Sequence, residues 1–425
     1  MKRIITSAIS FGLSVLMLPL VSCTKEDMEL GMADGIDSSV WGKSITLTKS
    51  QRDLTSSANV FAFKLFNQVR SQRNDETLLL SPFSASMALG MTATGAEGET
   101  ERQMRSVLGF ETVTKEEMAE YYSRMLEGLA KADPYVDMKI ANSIWIHDMF
   151  PVKEDFVKGT ELYFGSVAEN RDFNAPETLK EINAWIEEKT GGTIKDFLDQ
   201  LSSDTKVALV NALYFEGKWR YAFAGTKKGQ FRNVSGGKSR TDMMYATGGV
   251  PYNTMDGWEI LHLPYGTGAF SMSIILPPEG EEFRSTVLDY DRWIALSRGI
   301  SGNYEVNMNV PSFVCKDKHD LVDPLIALGM TAPFSSKDAD FSSMSDKDLY
   351  IGKVDQKTFI EVNETGTKAS AATVVQMMDG APGPGFEPEY IEPERVNFDA
   401  DRPFYYVISE SSTGAVLFVG QVTDL

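Results

Sequence analysis

The chain has 425 residues, of which 41 are basic and 60 are acidic, so its formal net charge is −19. This acidic balance argues against nucleic-acid binding, which needs a cationic surface. Hydrophobic residues make up 42% and charged residues 24%, an ordinary globular composition that argues against a disordered or fibrous protein. Two cysteines and three histidines are too few for a disulfide scaffold or a Cys/His-rich zinc module. We therefore expect no metal centre and no cofactor.

Residues 1–22 are predicted to be a signal peptide. Lys2 and Arg3 precede an apolar stretch over residues 4–19, which is the pattern of a secretory signal. Leu20-Val21-Ser22-Cys23 resembles a bacterial lipoprotein cleavage site. That resemblance implies that Cys23 becomes the acylated first residue of the mature chain. An ordinary signal peptide with an incidental cysteine is the alternative.

The residues after Cys23 bear on where the protein is located. Thr24-Lys25-Glu26-Asp27 is similar to the surface-export signals of bacterial lipoproteins. Residues 23–50 are polar, with scattered Gly and Asp, and are expected to form a lipidated tether. No later stretch approaches the ~18 apolar residues of a membrane span. We expect an outer-membrane lipoprotein, at the cell surface or in the periplasm, whose only membrane attachment is its lipid.

Helix signals come first in the remaining chain and strand signals follow. Apolar residues at helical spacing predict a helix over residues 51–70. Other helix starts or ends are indicated by Ser81-Pro82, by the capping-box pair Thr114 and Glu117, and by Gly191-Gly192. Strands are predicted over residues 207–215, 270–276, 404–408 and 415–422. This order indicates an α+β fold with one large domain from about residue 51 to 425.

A long loop is predicted between Asp379 and Asp401. This stretch contains four prolines and three glycines, together with seven carboxylates and a single basic residue, Arg395. Proline lacks a backbone donor, so the stretch is not expected inside a sheet. Structureless loops of this length are usually functional or disordered.

Catalytic motifs are weak in this sequence. Ser203-Asp204-Thr205-Lys206 matches S-x-x-K and Lys189-Thr190-Gly191 matches K-T-G, but penicillin-binding enzymes carry the second motif downstream of the first. His147, His262 and His319 are isolated in sequence, which is typical of surface or hydrogen-bonded core histidines. We expect no enzyme, although a hydrolase or a simple binding module stays an alternative at this point.

The segment before the long loop has small side chains in a β-compatible run. Alternate residues of a strand face opposite ways. One face would carry Thr367, Ala369, Ala371, Thr373 and Val375. The other would carry Lys368, Ser370, Ala372, Val374 and Gln376. The segment could therefore enter a sheet with its small face inward and Lys368 outward, although a plain hairpin strand would show the same pattern.

These residues resemble the serpin family, in which residues 364–373 are similar to the hinge. The resemblance covers roughly residues 51–425 and extends to further motifs: Leu80-Ser81-Pro82-Phe83-Ser84, the run from Asn211 to Trp219, Leu263-Pro264-Tyr265 with Ile275-Leu276-Pro277, Ala339-Asp340-Phe341-Ser342, Asp401-Arg402-Pro403-Phe404 and Phe418-Val419-Gly420.

The resemblance implies a single serpin domain with a large central β-sheet, further sheets and about eight or nine helices. It also implies an exposed reactive-centre loop over about residues 364–401. Serpins are suicide inhibitors of serine and some cysteine proteases. The protease cuts the loop and forms an acyl-enzyme, and the hinge then inserts as a new strand in the central sheet. The small inward face favours an inhibitor, and a non-inhibitory binding or scaffold protein is the alternative. We expect a monomer.

The resemblance also assigns roles to individual residues. The hinge residues are Glu364, Gly366, Thr367, Ala369, Ser370, Ala371, Ala372 and Thr373. The residues expected where the central strands part, the shutter/breach region, are Ser81, Ser84, Asn211, Trp219 and Gln356. Gln356 stands where the family often has a histidine, and glutamine can form hydrogen bonds there but cannot become charged.

The reactive bond is placed by counting along the hinge. Seventeen residues with Glu364 as the first end at Gly380, so the predicted bond is Gly380-Ala381. Met378-Asp379 and Met377-Met378 are the other candidates. Gly or Met before the bond suggests elastase-like or subtilisin-like target proteases.

Overall fold

The computed structural model describes residues 30–201, 205–367 and 392–425. Within these ranges lie eight α-helices: α1 (Lys49–Arg70), α2 (Pro82–Ala93), α3 (Gly98–Leu108), α4 (Lys115–Leu129), α5 (Glu154–Phe164), α6 (Pro176–Lys189), α7 (Tyr290–Arg298) and α8 (Val322–Ala327). Two helix starts are fixed by capping boxes. Thr48 with Gln51 caps α1, and the predicted pair Thr114 and Glu117 caps α4.

The strands of the described ranges follow in chain order. They are β1 (Gly31–Met32), β2 (Leu78–Leu80), β3 (Val136–His147), β4 (Val167–Arg171), β5 (Val207–Lys218), β6 (Tyr221–Ala222), β7 (Gly225–Arg232), β8 (Lys238–Gly248), β9 (Tyr252–Met255), β10 (Trp258–Pro264), β11 (Phe270–Leu276), β12 (Tyr304–Pro311), β13 (Phe313–Asp320), β14 (Ile351–Asn363), β15 (Gly366–Thr367), β16 (Glu394–Asp399), β17 (Phe404–Glu410) and β18 (Val416–Val422).

Most of these strands form three sheets. The central sheet has the order β13-β14-β15-β5-β3-β4, the second sheet β2-β18-β17-β11-β10-β9, and the third sheet β16-β12-β8-β7. β1 and β6 form a separate two-stranded ribbon. The mixture of helices and several sheets in one body confirms the α+β prediction and the expected large central sheet.

α2 lies in the core between the central and second sheets. All of its residues are buried, and it packs against β3, β5 and β18. Aromatic side chains fill the same layer, as Phe215 of the central sheet meets Phe270 and Phe418 of the second sheet edge to face. The buried helix therefore places its first residues directly beneath the central strands.

The N-terminal segment is more ordered than a tether. The sequence suggested a tether over residues 23–50, but residues 30–48 run along the folded body. Ala33, Ile36, Ile45 and Leu47 are buried there. The apolar side chains are widely spaced, so no periodic pattern marks this segment in the sequence.

The long loop is shorter than the sequence indicated. Residues 394–399 form β16, which pairs in parallel with β12 at the edge of the third sheet, and Phe398 is fully buried. Pro393 immediately precedes this strand, so its missing donor removes no hydrogen bond from the ladder. Arg395 contacts Glu305 across the two strands.

Among the described residues, no helix combines the length and the apolar character that crossing a lipid bilayer requires.

Candidate functional site: the hinge and the centre of the central sheet

The start of the hinge is already part of the central sheet. Gly366 and Thr367 form β15 between the ends of β14 and β5. Thr367 lies opposite Val362 on one side and Gly217 on the other, and both pairings are antiparallel. Further along, β14 and β5 pair with each other directly and in parallel. The sheet is therefore parted at one end by a two-residue strand and closed below it.

Gly366 fits its position because it has no side chain. Its φ is +148°, a region that L side chains rarely adopt. A Cβ atom here would lie 2.3 Å from the carbonyl oxygen of Gly217, a backbone atom that cannot rotate away. Any other residue would push the start of the hinge away from β5.

Thr367 is held by an aromatic pair. Its side chain is fully buried, and its hydroxyl lies 2.8 Å from the hydroxyl of Tyr265. Burial raises the pKa of Tyr265 well above its usual value, so the phenol stays neutral. The ring of Trp219 stacks on Tyr265 with 4.5 Å between centroids. We call Trp219, Tyr265, Gly366 and Thr367 the breach cluster.

Trp219 also binds the turn that leads into the hinge. Its Nε1 donates to the carbonyl oxygen of Asn363 at 2.8 Å, and its backbone N–H donates to that of Thr365 at 3.2 Å. Within the same turn, the Asn363 side chain accepts from the backbone and hydroxyl of Thr365. Glu364, the first predicted hinge residue, is exposed in this turn. The first residues of the hinge are thus bound from one side by Trp219 and Tyr265.

A second polar cluster joins β14 and β5 in the middle of the sheet. Gln356 accepts from the backbone N–H of Ser81 at 2.8 Å and donates to the Ser81 carbonyl at 2.8 Å. It also donates to Oδ1 of Asn211 at 2.6 Å. Asn211 in turn donates to Ser84 at 2.5 Å and to Asn142 on β3. We call Ser81, Ser84, Asn142, Asn211 and Gln356 the shutter cluster.

The shutter cluster is fully enclosed by the protein. Ser81, Ser84 and Gln356 have no exposed surface, and Asn211 is 1% exposed. Buried amides that lose a partner are costly, because no water replaces the bond. The cluster therefore resists separation of β14 from β5 at the point where the two strands are directly paired.

An ionic group lies beside this cluster on β13. His319 is opposite Gln356 in the strand register, and its Nε2 lies 3.1 Å from Asp317. Arg73 contacts Asp317 at 3.1 Å. Burial alone would raise the pKa of Asp317, but the contacts with His319 and Arg73 hold it below the usual value. The group fastens β13 to Arg73, which precedes β2, and to β2 itself, since Asp317 also accepts from the backbone N–H of Leu79.

The structure brings together seven of the predicted site residues, one of which is Gly366, next to Thr367 in β15. Ser81, Ser84, Asn211 and Gln356 meet in one cluster, while Trp219 and Thr367 meet through Tyr265. Glu364 is exposed in the turn before β15, and the remaining predicted hinge, reactive-bond and lipidation residues lie outside the described residues: Cys23, Ala369, Ser370, Ala371, Ala372, Thr373, Met377, Met378, Asp379, Gly380 and Ala381.

Sequence reasoning missed the roles of Tyr265 and Asn142. Tyr265 lies 102 positions before Thr367 in the sequence. Its only sequence signal was the Leu263-Pro264-Tyr265 motif, which does not indicate a contact with the hinge. Asn142 and Ser143 are polar residues in an otherwise apolar stretch of β3, from residue 140 to 146, and this interruption was the available signal. A buried polar residue on a central strand needs a partner, and here Asn211 is that partner.

The three histidines are separate in the structure. His262 bonds Ser273, His319 bonds Asp317 and Leu79, and His147 bonds Asp148. Burial lowers the pKa of His262 to about 4, so this side chain is neutral at ordinary pH. Each histidine therefore satisfies local hydrogen bonds, as the sequence predicted, and no two of them share a site.

Comparison with known proteins places this geometry in a family. The family model described as Serpin (serine protease inhibitor) matches residues 56–425. The leukocyte elastase inhibitor of Bos taurus is 33% identical over 386 residues, covering 87% of this chain and 99% of that protein. An uncharacterized serpin-like protein of Methanosarcina mazei is 31% identical over 382 residues, covering 87% of each chain.

A solved structure shows the same fold. The crystal structure of tengpin, a thermophilic serpin in the native state, superposes with a TM-score of 0.79 at 28% identity. It covers 93% of this chain and 100% of that chain. The family match, these relatives and the parted central sheet agree, and the chain belongs to the serpin family.

Proposed function

We propose that this protein is a suicide-type inhibitor of serine endopeptidases, with cysteine endopeptidases as a second target class. In the proposed mechanism the protease cleaves the loop at the predicted Gly380-Ala381 bond. The freed hinge then extends β15 from Thr367 onward through the central sheet. One observation carries the proposal: β15 already occupies the first two positions of the strand that insertion would complete.

The register of β15 indicates where the rest of the hinge would go. Thr367 pairs with Val362 and Gly217, and each further residue along an antiparallel strand moves one position back along both neighbours. Residue 373 would then lie between Gln356 and Asn211. The proposed insertion therefore ends the direct bond between these two amides and places Thr373 in the shutter cluster.

The inward side of the hinge suits this path. Thr367 faces the interior, so residues 369, 371 and 373 would face the same way in an extended strand. These are Ala, Ala and Thr, which are small enough to pass over the buried helix α2. A bulky or charged residue there would slow insertion, and the protease would then deacylate and leave.

Insertion requires the closed part of the sheet to open. Residues 351–358 of β14 pair with residues 207–213 of β5, and these pairs must separate. A protein that gains a complete additional strand becomes more stable, so the uncleaved form is proposed to persist behind a kinetic barrier. The shutter cluster contributes to that barrier because its amides bridge the two strands.

The target protease and the cellular location of the inhibitor are proposed from the sequence. Cleavage at Gly380-Ala381, with the two methionine bonds as alternatives, fits elastase-like or subtilisin-like proteases. Acylation of Cys23 would place the inhibitor at the outer membrane, facing the cell surface or the periplasm. There it would protect the cell from proteases of a host or of neighbouring cells.

A protease panel tests the proposal. The mature protein is mixed with elastase, subtilisin and trypsin, and the products are separated on SDS gels. An SDS-resistant complex with elastase or subtilisin is expected, and sequencing the released fragment identifies the bond. Cleaved protein with fully active protease in every mixture would contradict inhibition. If loop cleavage also left thermal stability unchanged, a non-inhibitory binding or scaffold role would explain the protein better.

A further inference from the structure

The N-terminal segment meets the body at a particular place. The backbone N–H of Leu30 donates to the carbonyl of Thr247 at 2.8 Å, near the end of β8. β1 then pairs with β6, and Ala33 donates to the carbonyl of Arg220 at 2.9 Å. We call residues 30–48 the N-terminal strap. Its first residues join the end of β8 in the third sheet to the chain just after β5.

Both ends of the reactive loop attach beside this point. Arg220 follows Trp219, whose backbone binds Thr365 at the start of the hinge. On the other side, Gly248 pairs with Val306, and two residues earlier Tyr304 pairs with Glu394, where the loop returns to the fold. The first described residue of the strap therefore lies at the loop-bearing end of the molecule.

The strap shortens the connection to a lipid at Cys23. Cys23 lies seven positions before Leu30, and an extended chain spans at most ~3.6 Å per residue. The lipid is therefore within about 25 Å of Leu30. A tether that reached residue 50 would let the body rotate freely relative to the membrane. The shorter connection keeps the loop-bearing end, where Leu30 lies, near the membrane.

An exposed aromatic residue lies on the same strap. Trp41 is 77% exposed, although the adjacent Gly42 fits closely against Thr267 and Ala269. Gly266, in the same turn, donates to the carbonyl of Lys218 at the hinge end of β5. Tryptophan is favoured where an apolar surface meets water, as in the headgroup layer of a membrane.

We propose that the anchored protein holds its loop-bearing end against the lipid surface, with Trp41 at the headgroups. The proposal rests on acylation of Cys23, which is part of the proposed function. In this orientation the loop is presented to proteases at the membrane surface. The opposite end of the central sheet points outward, and β5, with 12 residues, spans roughly 35–40 Å between the two ends.

Energy transfer to labelled lipids tests the orientation. Asn303→Cys places a donor dye at the loop-bearing end, since its carbonyl accepts from Glu394. Asp348→Cys is the matched probe at the opposite end, three positions before β14 begins, and both residues are exposed. The native Cys315 is buried, and burial raises the pKa of its thiol to about 12, so it does not compete for the dye.

The acylated protein is reconstituted in phosphatidylethanolamine and phosphatidylglycerol vesicles that contain acceptor lipid. Transfer from position 303 should be severalfold greater than from position 348. A Gly/Ser spacer of about 30 residues inserted between residues 27 and 28 should remove the difference. Trp41→Ser should reduce it.

The outcomes separate the two proposals. Vesicle binding with equal transfer from both positions would overturn the orientation alone. Failure of the acylated preparation to bind vesicles would overturn the anchor and the orientation together. The Cys23→Ser protein, assayed with protease in solution, reports on inhibition independently of either result.

Discussion

The breach end and the middle of the β14–β5 seam are built differently. At the breach cluster the strands are held apart by a short piece of main chain, Gly366–Thr367, which stacked aromatic side chains support. At the shutter cluster the strands touch, and buried amides bridge them. At the breach end, the main chain of β15 separates β14 from β5. In the middle of the seam, side-chain amides join the two strands.

In the proposed mechanism, this difference indicates how the work of insertion is divided between the two clusters. Entry of the hinge has already begun at the breach cluster, so no new gap needs to be nucleated there. The resistance lies further along, where each opened pair leaves polar groups that water cannot reach. Changes at the breach cluster should therefore alter whether the hinge enters, and changes at the shutter cluster should alter how fast the sheet opens.

The largest expected effect comes from a charge in the hinge. Thr367→Arg would bury a guanidinium against Tyr265 and Trp219, at a position where Thr367 bonds a neutral phenol and not a carboxylate. Insertion should slow below the rate of deacylation. We expect the SDS-resistant complex to fall at least about tenfold, with cleaved protein in its place, as each 1.4 kcal/mol of added barrier slows a step tenfold.

Glu364→Arg is the control for this change. Glu364 lies in the same hinge but is exposed in the turn, so the same side chain should be tolerated there. If both variants inhibited normally, a small neutral side chain at position 367 of the breach cluster would not be required for inhibition.

The next effect is expected at the shutter cluster. Gln356→Ala would leave the backbone groups of Ser81 and Oδ1 of Asn211 without their bonds, at a cost of roughly 2–4 kcal/mol. The native form should then lose inhibitory activity on warming at least about tenfold faster. Residual inhibition after timed incubation measures this, and Gln230→Ala, at an exposed position of β7, is the control. Equal half-lives would show that the shutter cluster does not limit opening.

A smaller effect is expected from Gly366→Ala. The added Cβ would collide with the carbonyl of Gly217, at a cost of about 1–3 kcal/mol, and should displace β15 from β5. Hydrogen exchange should then become faster at the Trp219 amide, which binds Thr365, and should stay unchanged at the Ser81 amide. Gly302→Ala is the control, because a Cβ there meets open space. Faster exchange at both amides would mean that the two clusters are not independent.

These contrasts also show which parts of the site were accessible from sequence. The start of the hinge and the shutter residues were assigned through the resemblance of ordered motifs to the serpin family, and α2 follows from its proline cap and apolar run. Tyr265 and Asn142 are single side chains whose partners lie far along the chain, so no local periodicity reveals them. β1 and β15 have two residues each and cannot show alternation. β16 is an edge strand, and edge strands tolerate charged residues. Its acidic residues therefore gave it the composition of a loop, and the strand was not predicted.

The smallest effect should appear with pH, and it should affect the two clusters unequally. No member of the shutter cluster can titrate, and His319 beside it is bonded to Asp317 and Leu79, whereas His262 lies on β10 three residues before Tyr265. Burial lowers the folded-state pKa of His262 to about 4, below the ~6.5 of an unfolded histidine. The unfolded chain therefore binds the proton first, and stability falls as the pH drops from about 6.5 towards 4. Between pH 7 and pH 5.5 the loss attributable to His262 is about 1 kcal/mol.

The pH effect has a direct measurement. Because the chain has three histidines, their imidazole signals can be assigned by substitution and titrated by NMR. His262→Asn should remove about 1 kcal/mol of the acid-induced loss of stability, while His147→Asn serves as the comparison. Exchange at the Trp219 amide should respond to acidification more than exchange at the Ser81 amide, since β10 leads directly into Tyr265. An equal response at both amides would place the acid sensitivity outside the breach cluster. If His262 titrated near pH 6.5, its pKa would not be lowered by burial, and the predicted loss of stability would have no cause.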